Sequence, residues 1–393
     1  MPISKKMKAA APQSSMIRKM FEEGAVLKAK YGADKVYDFS LGNPNVEPPD
    51  AFKRELINIA SELIANKHGY MPNAGYLETR QVIADRINRI HGLRLHSDHV
   101  IMSCGAGGAL NVIFKSILDP ENEVIVPTPY FMEYNGYIDN FGGFVKKVQT
   151  KSDFSLDVVA IGAAITDKTK AVLINSPNNP TGKVYNKNNI ADLARTMAEK
   201  EKEMKRTIYL VSDEPYSEIV YDNVTVPSIL KAYSNSIIAY SYSKTLSLPG
   251  ERIGYIAVNQ TIEKAADLIS ALILATRMLG FVNAPALMQR IIARLPETKV
   301  DVEVYKRKRD LLCGGLRDAG YKFGVPEGAF YLFVESPIPE DAEFAKVLLK
   351  QNILVVPGSS FAGPGYFRIA YCVDDETIVN SMDGFASAIR ECK

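Results

Sequence analysis

Apolar runs alternate with amphipathic stretches through the middle of the chain, and this alternation predicts an α/β fold. Each apolar run is short and bounded by turn-forming residues, which is typical of a buried strand. Helical patterns separate the runs, except for one hairpin-like connection between Ser243 and Arg252. The order predicts a mixed, mostly parallel seven-stranded sheet with helices on both faces. The predicted strands are His99–Ser103, Glu123–Pro127, Gly143–Thr150, Lys170–Asn175, Thr207–Val211, Ser236–Tyr240 and Ile253–Val258.

The two ends of the chain carry different patterns. Ser14 or Ser15 is suited to cap a first helix over Met16–Tyr31. Short strands and two helices after residue 320 predict a small α+β domain, with strands at Tyr321–Val325, Gly328–Glu335, Ile353–Pro357 and Phe367–Cys372 and helices at Asp341–Gln351 and Asp374–Ile389. We expect residues 1–48 to form an N-terminal arm and part of the small domain, residues 49–290 the large domain, and residues 291–393 the small C-terminal domain.

Composition and charge exclude several classes of function. The chain has 393 residues, of which 47% are hydrophobic and 23% charged, with a formal net charge of +2. A balance so close to neutrality gives no reason to expect a nucleic acid or a membrane surface as a partner. No apolar stretch reaches membrane-spanning length, and no long apolar run follows the first lysines as in a signal peptide. We therefore expect a cytoplasmic protein.

The spacing of cysteines and histidines indicates neither a disulfide framework nor a metal site. The four cysteines are far apart and lack CxxC spacing, which favours a reducing compartment. The four histidines lie between residues 68 and 99 without a spaced set of cysteine or carboxylate partners. We expect them to be surface or structural residues, and we expect no bound metal.

Lys244 stands out because it lies between two predicted buried strands. Desolvation disfavours the charged form of a lysine in such a position, so its amine is expected to be either paired or neutral. Taken alone, Lys244 is compatible with a structural lysine whose head reaches solvent. Its neighbours Ser241, Ser243 and Arg252 change the interpretation, because two hydroxyls and a guanidinium make a phosphate seat beside a nucleophilic amine.

This stretch resembles a known motif. Ser-x-Ser-Lys at residues 241–244, followed by Pro-Gly-x-Arg-x-Gly-Tyr at residues 249–255, is similar to the pyridoxal-phosphate (PLP) lysine motif of class I/II aminotransferases. These are fold-type I, aspartate aminotransferase-like enzymes. The resemblance implies that Lys244 forms a Schiff base with the cofactor aldehyde, and that Ser241, Ser243 and Arg252 hold the phosphate.

Further cofactor contacts are implied on both sides of this motif. The small residues after the predicted strand at 99–103 resemble the turn whose backbone N–H groups bind the PLP phosphate, here those of Ala106 and Gly107. An aromatic residue stacks on the cofactor ring in this family; Phe131 falls at that place, with Tyr130 as the alternative and core packing as a third reading. Tyr70 matches a tyrosine that reaches the neighbouring subunit's cofactor phosphate, so the resemblance implies a homodimer with a shared active site.

The resemblance assigns roles at four further positions. Pro-x-Asn-Pro-Thr-Gly at residues 177–182 is a specific family motif, and its asparagine, Asn179, contacts both the cofactor's phenolic oxygen and the substrate carboxylate. Asp213 keeps the pyridine nitrogen protonated and Tyr216 hydrogen-bonds the ring oxygen. Arg368 grips the substrate α-carboxylate in a bidentate fork.

The sequence leaves two interpretations for each of two further residues, Gly42 and Arg277. The backbone of Gly42 lines the family's substrate pocket, although an ordinary loop explains the same sequence. Arg277 is either a side-chain carboxylate reader from a partner subunit or a solvated arginine at a helix end.

The implied landmarks extend from Gly42 to Arg368 in the family order. They imply transfer of an amino group from an L-amino acid to a 2-oxo acid, with 2-oxoglutarate as acceptor and aspartate or an aromatic or neutral amino acid as donor. A PLP-dependent lyase, decarboxylase or synthase of the same fold would keep most of these residues. A non-catalytic regulator of this fold is a further alternative, disfavoured because the sequence has no basic recognition helix.

Overall fold

The computed structural model describes residues 3–10 and 16–392. Ser14 and Ser15, the predicted capping residues, lie outside this part. The helices are α1 (Lys5–Ala10), α2 (Met16–Tyr31), α3 (Asp50–Ser61), α4 (Leu77–His91), α5 (Gly105–Ile117), α6 (Glu133–Asp139), α7 (Val158–Ala164), α8 (Lys187–Met204), α9 (Ile229–Ala232), α10 (Tyr242–Thr245), α11 (Ala265–Met278), α12 (Ala286–Arg294), α13 (Val302–Asp318), α14 (Asp341–Lys350) and α15 (Asp375–Glu391). The strands are β1 (Tyr37–Asp38), β2 (Val100–Ser103), β3 (Glu123–Thr128), β4 (Phe144–Gln149), β5 (Thr169–Asn175), β6 (Tyr209–Asp213), β7 (Ser236–Ser241), β8 (Gly254–Val258), β9 (Tyr331–Glu335), β10 (Ile353–Leu354), β11 (Val356–Pro357) and β12 (Tyr366–Ala370).

A seven-stranded sheet forms the centre of the molecule, in the order β2-β8-β7-β6-β5-β3-β4. Its strand pairs are parallel except for those of β8, which is antiparallel to both β2 and β7. The hairpin-like connection between β7 and β8 explains this exception. The predicted mixed, mostly parallel seven-stranded sheet is confirmed.

Both faces of this sheet are buried. Successive residues of a strand point to opposite faces, and Leu210 and Val211 of β6 accordingly belong to different clusters of buried apolar side chains. The cluster around Leu210 includes residues of α4, α8 and α12, whereas the cluster around Val211 includes residues of α5 and α11. Helices therefore cover both faces, as the continuous apolar strands require.

The strand register brings polar residues together at one edge. Asn175, the last residue of β5, is paired with Asp213, the last residue of β6. Gly254 at the start of β8 is paired with both Ser103 and Ser241, so the beginning of α5 lies next to the β7–β8 connection. In open α/β sheets, ligands bind beyond the carboxyl ends of the strands.

Two smaller sheets contain the remaining strands. β11, β12 and β9 form an antiparallel sheet, while β1 pairs with β10 in parallel. A third apolar cluster covers them and includes Phe39, Phe344, Phe367 and Phe385. The division of the chain at residues 48 and 290 stays a prediction.

The predicted strands of the C-terminal part differ most from the structure. Residues 321–325 do not form a strand; Phe323 makes one isolated bridge to Val334. The run at 353–357 divides into β10 and β11, which belong to different sheets. Pro357 ends the second piece, because proline has no N–H to extend a strand ladder.

Within the part of the chain that the structure describes, no helix is both long and apolar enough to cross a membrane.

Candidate functional site

A cavity of about 570 Å³ opens at the edge of the sheet where β5, β6 and β7 end. One wall consists of the first turn of α5 and the segment after β3. The opposite wall consists of Leu41 and Gly42 together with Tyr331 and Arg368 of the small sheet. The cavity is therefore built from segments that are far apart in the sequence.

Lys244 lines the cavity and lies between β7 and β8, as the sequence predicts, in a connection that begins with the one-turn helix α10. Its Nζ donates a hydrogen bond to the carbonyl oxygen of Gly42 at 2.7 Å. Burial lowers the pKa of Lys244 to about 8, and the positive charges of Arg368 and Arg252 act in the same direction, while Cys372 opposes them. A much larger fraction of this amine is thus neutral near physiological pH than for an ordinary lysine.

One end of the cavity is rich in hydrogen-bond donors. The hydroxyls of Ser241 and Ser243 lie 2.7 Å apart. Arg252 donates to the carbonyl oxygen of Cys104 at 3.2 Å. A Cβ on Gly105 would lie 2.6 Å from Nη2 of Arg252, and Gly105 also has a φ of +72°, so glycine is required for this close approach.

The first turn of α5 faces the same end. Ala106 and Gly107 belong to this turn and line the cavity. N–H groups in the first turn of a helix have no intrahelical acceptor, and the helix dipole favours negative charge there. The hydroxyls, the guanidinium and these N–H groups together make an anion site.

Asp213 is a buried carboxylate with one satisfied oxygen. The hydroxyl of Tyr134 donates to Oδ2 at 2.6 Å, whereas Oδ1 has no hydrogen-bond partner among the described residues. Burial raises the pKa of Asp213 to about 7, and the hydrogen bond from Tyr134 opposes this change. An unpartnered oxygen of this kind favours a cationic or N–H donor from a ligand.

Two asparagines connect the strand ends. Asn175 donates through Nδ2 to the carbonyl oxygen of Asp213 at 2.8 Å, and its Oδ1 accepts from the backbone N–H of Asn179 at 2.7 Å. The Oδ1 of Asn179 in turn accepts from Nη1 of Arg368 at 3.0 Å. This chain of hydrogen bonds fixes Asn179 between the carboxylate and the guanidinium.

Arg368 is almost fully buried, with 1% of its surface exposed. Besides Asn179, it donates to the carbonyl oxygen of Ser40. Its guanidinium lies against the rings of Tyr331 and Phe361, with centroid distances of 4.6 and 4.8 Å. Nε has no partner in the described part of the chain. The cavity thus contains a buried, oriented cation with donor capacity to spare.

The aromatic residues occupy distinct places. Phe131 lines the cavity, whereas Tyr130 is buried in the core and donates to Asn135 at 2.8 Å. The hydroxyls of Tyr216 and Tyr331 lie 2.8 Å apart. A Cβ on Gly42 would lie 2.0 Å from the hydroxyl of Tyr331, so only glycine fits at this position.

Comparison with known proteins identifies the family. The family model "Aminotransferase class I and II" matches residues 34–385. This chain belongs to that family. It is 32% identical to a probable aspartate aminotransferase of Methanocaldococcus jannaschii over 88% of this chain and 91% of that protein. It is 31% identical to an aspartate/prephenate aminotransferase of Thermus thermophilus over 98% of each.

Solved structures of aminotransferases have the same fold. An aminotransferase from Eubacterium rectale is 38% identical and superimposes with a TM-score of 0.97, over 100% of this chain and 99% of that one. The Thermus thermophilus aspartate aminotransferase with maleate is 28% identical and has a TM-score of 0.88, over 99% and 100%. The chain is therefore an amino-acid aminotransferase that uses PLP, as the sequence motifs imply.

Most residues that the aminotransferase motifs single out line one cavity. They are Gly42, Ala106, Gly107, Phe131, Asn179, Asp213, Tyr216, Ser241, Ser243, Lys244, Arg252 and Arg368. Tyr70 is 88% exposed and is not among the described residues that line this cavity. Arg277 is also exposed, near the end of α11, and is likewise outside the cavity lining.

Sequence reasoning missed five polar residues of the aminotransferase cavity: Glu133, Tyr134, Tyr137, Asn175 and Tyr331. Asn175 carried a usable signal, because it ends a strand next to the strand that ends in Asp213. Tyr134 and Tyr331 carried none, because their partners Asp213 and Tyr216 lie 79 and 115 residues away in the sequence.

Proposed function

We propose that this aminotransferase moves the amino group of an L-amino acid to 2-oxoglutarate, with aspartate or an aromatic or neutral amino acid as donor. The observation that carries the proposal is that Lys244, Asp213 and Arg368 line one cavity. These side chains supply an amine, a carboxylate with an unpartnered oxygen, and a buried guanidinium. The three groups match an aldehyde, a pyridinium nitrogen and a substrate carboxylate.

The residues of the cavity fit PLP. The unpartnered Oδ1 of Asp213 would accept from the pyridine nitrogen, and Tyr216 and Asn179 would hold the ring oxygen. The donor-rich end formed by Ser241, Ser243, Arg252 and the first turn of α5 would hold the phosphate. Phe131 would cover one face of the ring. When bound, PLP supplies an aldehyde carbon for the amino group and a ring that delocalises the electron pair left at the substrate Cα.

Asp213 would stabilise positive charge on the ring nitrogen. A buried carboxylate with a pKa near 7 costs free energy when it is ionised and unpaired. A protonated nitrogen at Oδ1 removes this cost and favours the ionised carboxylate. The bond from Tyr134 to Oδ2 holds the carboxylate so that Oδ1 stays directed into the cavity.

Lys244 would act first as a nucleophile and then as a proton carrier. A neutral amine is required to attack an aldehyde, and the lowered pKa supplies it. As a base, the free Nζ of Lys244 would also carry the proton of the substrate Cα. Both roles begin with the neutral form of the amine, whose share the lowered pKa increases.

Arg368 would bind the substrate α-carboxylate in a bidentate fork. Its two terminal nitrogens now donate to Asn179 and Ser40, so the carboxylate would join or replace these acceptors. Gly42 would line the substrate site from the other side. Burial of the guanidinium strengthens the interaction, because water competes less in a low-dielectric site.

The substrate side chain would extend toward the mouth of the cavity. The cations lining it within the described chain are Lys244, Arg252 and Arg368, all of which have proposed roles. The Thermus thermophilus relative was solved with maleate, a dicarboxylate. A second carboxylate would therefore need a cation such as Arg277 from a partner subunit, whereas an aromatic or neutral side chain would not.

We also propose a homodimer with a shared active site. Tyr70 follows a stretch with several exposed apolar residues, including Ile57 and Leu63. Hydrogen bonds from Asn283 and Asn73 connect the Tyr70 loop to the segment after α11. Leu274 and Met278, in the last turns of α11, are exposed. This apolar surface adjoins α5, because Phe281 lies near Gly108. It is suited to a large interface across which Tyr70 reaches the partner's phosphate site.

Two further proposals rest on the sequence. The chain would divide into a large domain at residues 49–290 and a small domain formed by residues 291–393 with part of residues 1–48. A cytoplasmic location is proposed from the four cysteines, which are free in the structure.

The proposed reaction is tested with purified protein, PLP and a panel of amino acids against 2-oxoglutarate. Glutamate should form with at least one donor, and the ratio of kcat/KM for aspartate to that for phenylalanine identifies the side-chain class. Release of ammonia or carbon dioxide without glutamate would instead indicate a lyase or decarboxylase.

The pKa of Lys244 predicts the pH dependence of PLP uptake. The rate at which PLP-free protein binds PLP covalently should rise with pH and level off above a midpoint near 8, because only the neutral amine attacks. An unperturbed lysine would give a midpoint at about 10.4. The rate is measured from the visible absorbance after rapid mixing.

Pyridoxamine phosphate, which has no aldehyde, is the control and should bind without this pH dependence. Covalent uptake by Lys244→Ala would contradict the assignment of this lysine.

Arg368→Lys tests the carboxylate site. Lysine keeps the charge but loses the planar fork, so transition-state binding should weaken by about 2–3 kcal/mol. The loss should appear in kcat/KM for amino acid and oxo acid alike, with PLP occupancy unchanged. Unchanged kcat/KM, or a protein without cofactor, would show that Arg368 does not serve the substrate.

Hybrid dimers test the shared site. Lys244→Ala and Tyr70→Ala proteins, each poorly active at limiting PLP, are mixed under mild dissociation and then reassociated. A hybrid contains one site in which Lys244 and the partner-supplied tyrosine are both intact, so activity should return. The control mixes the double variant Lys244→Ala/Tyr70→Ala with Lys244→Ala. This mixture should stay inactive, because none of its subunits carries Lys244. No recovery in verified hybrids, or an active monomer on sedimentation, would rule out sharing through Tyr70.

A further inference from the structure

Tyr331 is a cavity residue with no role in the proposed function. It is the first residue of β9, and its register partner Ala370 lies two residues beyond Arg368 on β12. Its side chain is buried and borders the cavity. It is therefore a rigid part of the small sheet that reaches the proposed cofactor site.

Two different contacts meet on this one side chain. The hydroxyl of Tyr331 lies 2.8 Å from the hydroxyl of Tyr216, which follows β6 of the large sheet. The ring lies under the guanidinium of Arg368 at 4.6 Å. The missing Cβ at Gly42 leaves the room that the hydroxyl occupies. The polar tip and the ring face thus contact two residues with separate proposed roles.

The number of protons fixes the direction of the hydrogen bond. A phenol has one O–H to donate and can also accept. If Tyr216 donates to the ring oxygen of PLP, its own oxygen must accept from Tyr331. A donor that is itself accepting a hydrogen bond is strengthened, because hydrogen bonds in a chain polarise one another.

The surroundings keep this proton in place. Burial raises the pKa of Tyr331 to about 12; Arg368 and the hydrogen bond with Tyr216 lower it, and Cys372 raises it. Burial also raises the pKa of Tyr216 well above its usual value. Both phenols are therefore neutral over the pH range in which an aminotransferase is assayed.

We propose that Tyr331 is a positioning residue that strengthens the bond from Tyr216 to the cofactor ring oxygen through its hydroxyl and orients Arg368 through its ring. This inference rests on the proposed function, because it assigns its effect through the proposed roles of Tyr216 and Arg368. It makes one side chain of the small sheet responsible for both the cofactor contact and the carboxylate contact.

Two substitutions separate the contacts. Tyr331→Phe removes the hydroxyl and keeps the ring, whereas Tyr331→Leu removes both. The first readout is the pH midpoint of the visible absorption of the PLP-bound protein. A hydrogen bond donated to the ring oxygen favours the form in which that oxygen carries the full negative charge. Weakening this bond in Tyr331→Phe should therefore raise the midpoint, by on the order of half a pH unit.

A double-variant cycle tests whether the effect passes through Tyr216. Tyr216→Phe should raise the midpoint further than Tyr331→Phe, and Tyr216→Phe/Tyr331→Phe should match Tyr216→Phe alone. Additive shifts, or no shift in Tyr331→Phe, would overturn the proposal while leaving the role of Tyr216 intact. No shift in Tyr216→Phe itself would overturn both that role and this inference.

The second readout is the Kd of a carboxylate that does not react. Maleate and 3-phenylpropanoate are both tried, and the one that binds the wild-type protein more tightly is used. Tyr331→Phe should leave this Kd unchanged, and Tyr331→Leu should raise it roughly three- to thirtyfold through loss of the ring under Arg368. Equal Kd values for the Phe and Leu variants would overturn the role of the ring.

Tyr233→Phe controls for loss of a buried tyrosine hydroxyl. Tyr233 is buried and donates to the carbonyl oxygen of Ile208 at 2.9 Å, away from the cavity. It should change neither the pH midpoint nor the Kd. A midpoint shift in Tyr233→Phe equal to that in Tyr331→Phe would show that the effect is merely structural and would overturn the proposal.

Discussion

The half-satisfied carboxylate of Asp213 is the interaction on which the site depends. Its position at the end of β6, paired with Asn175 of β5, would fix where the ring nitrogen of PLP lies in the proposed function. Tyr134 satisfies one oxygen and leaves the other unpartnered among the described residues. A buried ionised group in this state lowers the stability of the free protein, and a cationic ligand restores it. Pairing the buried carboxylate of Asp213 with a positively charged cofactor atom would remove this cost and so would strengthen cofactor binding.

Burial disfavours the charged form of the cations in the cavity too, but there it lowers the pKa instead of raising it. Burial lowers the pKa of both Lys244 and Arg368, and the positive charge of Arg368 lowers the pKa of Lys244 further. Arginine stays charged under these conditions, whereas a substantial minority of the lysine is neutral near physiological pH. One environment would thus provide both a permanent cation for the proposed substrate carboxylate and a supply of neutral amine.

Local patterns predicted the strands and the residues at their ends well, because buried strands and turn residues leave signals within a few positions. The bounds of α2 agree with the prediction, and the seven strands of the large sheet differ from it by a few residues. The short strands of the C-terminal part were predicted less well, since two-residue strands such as β10 and β11 depend on tertiary partners. Tyr134 and Tyr331 were missed for the same reason: their partners are distant in sequence, and a tyrosine alone gives no sign of which carboxylate or phenol it will meet. The structure shows which of these residues line the cavity, whereas the function of each residue stays a prediction.

The segment 40–42 connects the two cations directly. Arg368 donates to the carbonyl oxygen of Ser40, and Lys244 donates to that of Gly42, across 328 and 202 residues of sequence. A carboxylate that takes over the donors of Arg368 leaves the carbonyl of Ser40 without its partner, and covalent use of Lys244 does the same at Gly42. Because Tyr331 fills the space beside Gly42, this segment cannot move toward the small sheet to compensate. In the proposed function, substrate and cofactor binding would therefore act on the same three residues, and each would weaken or remove a hydrogen bond that holds the segment in its present position.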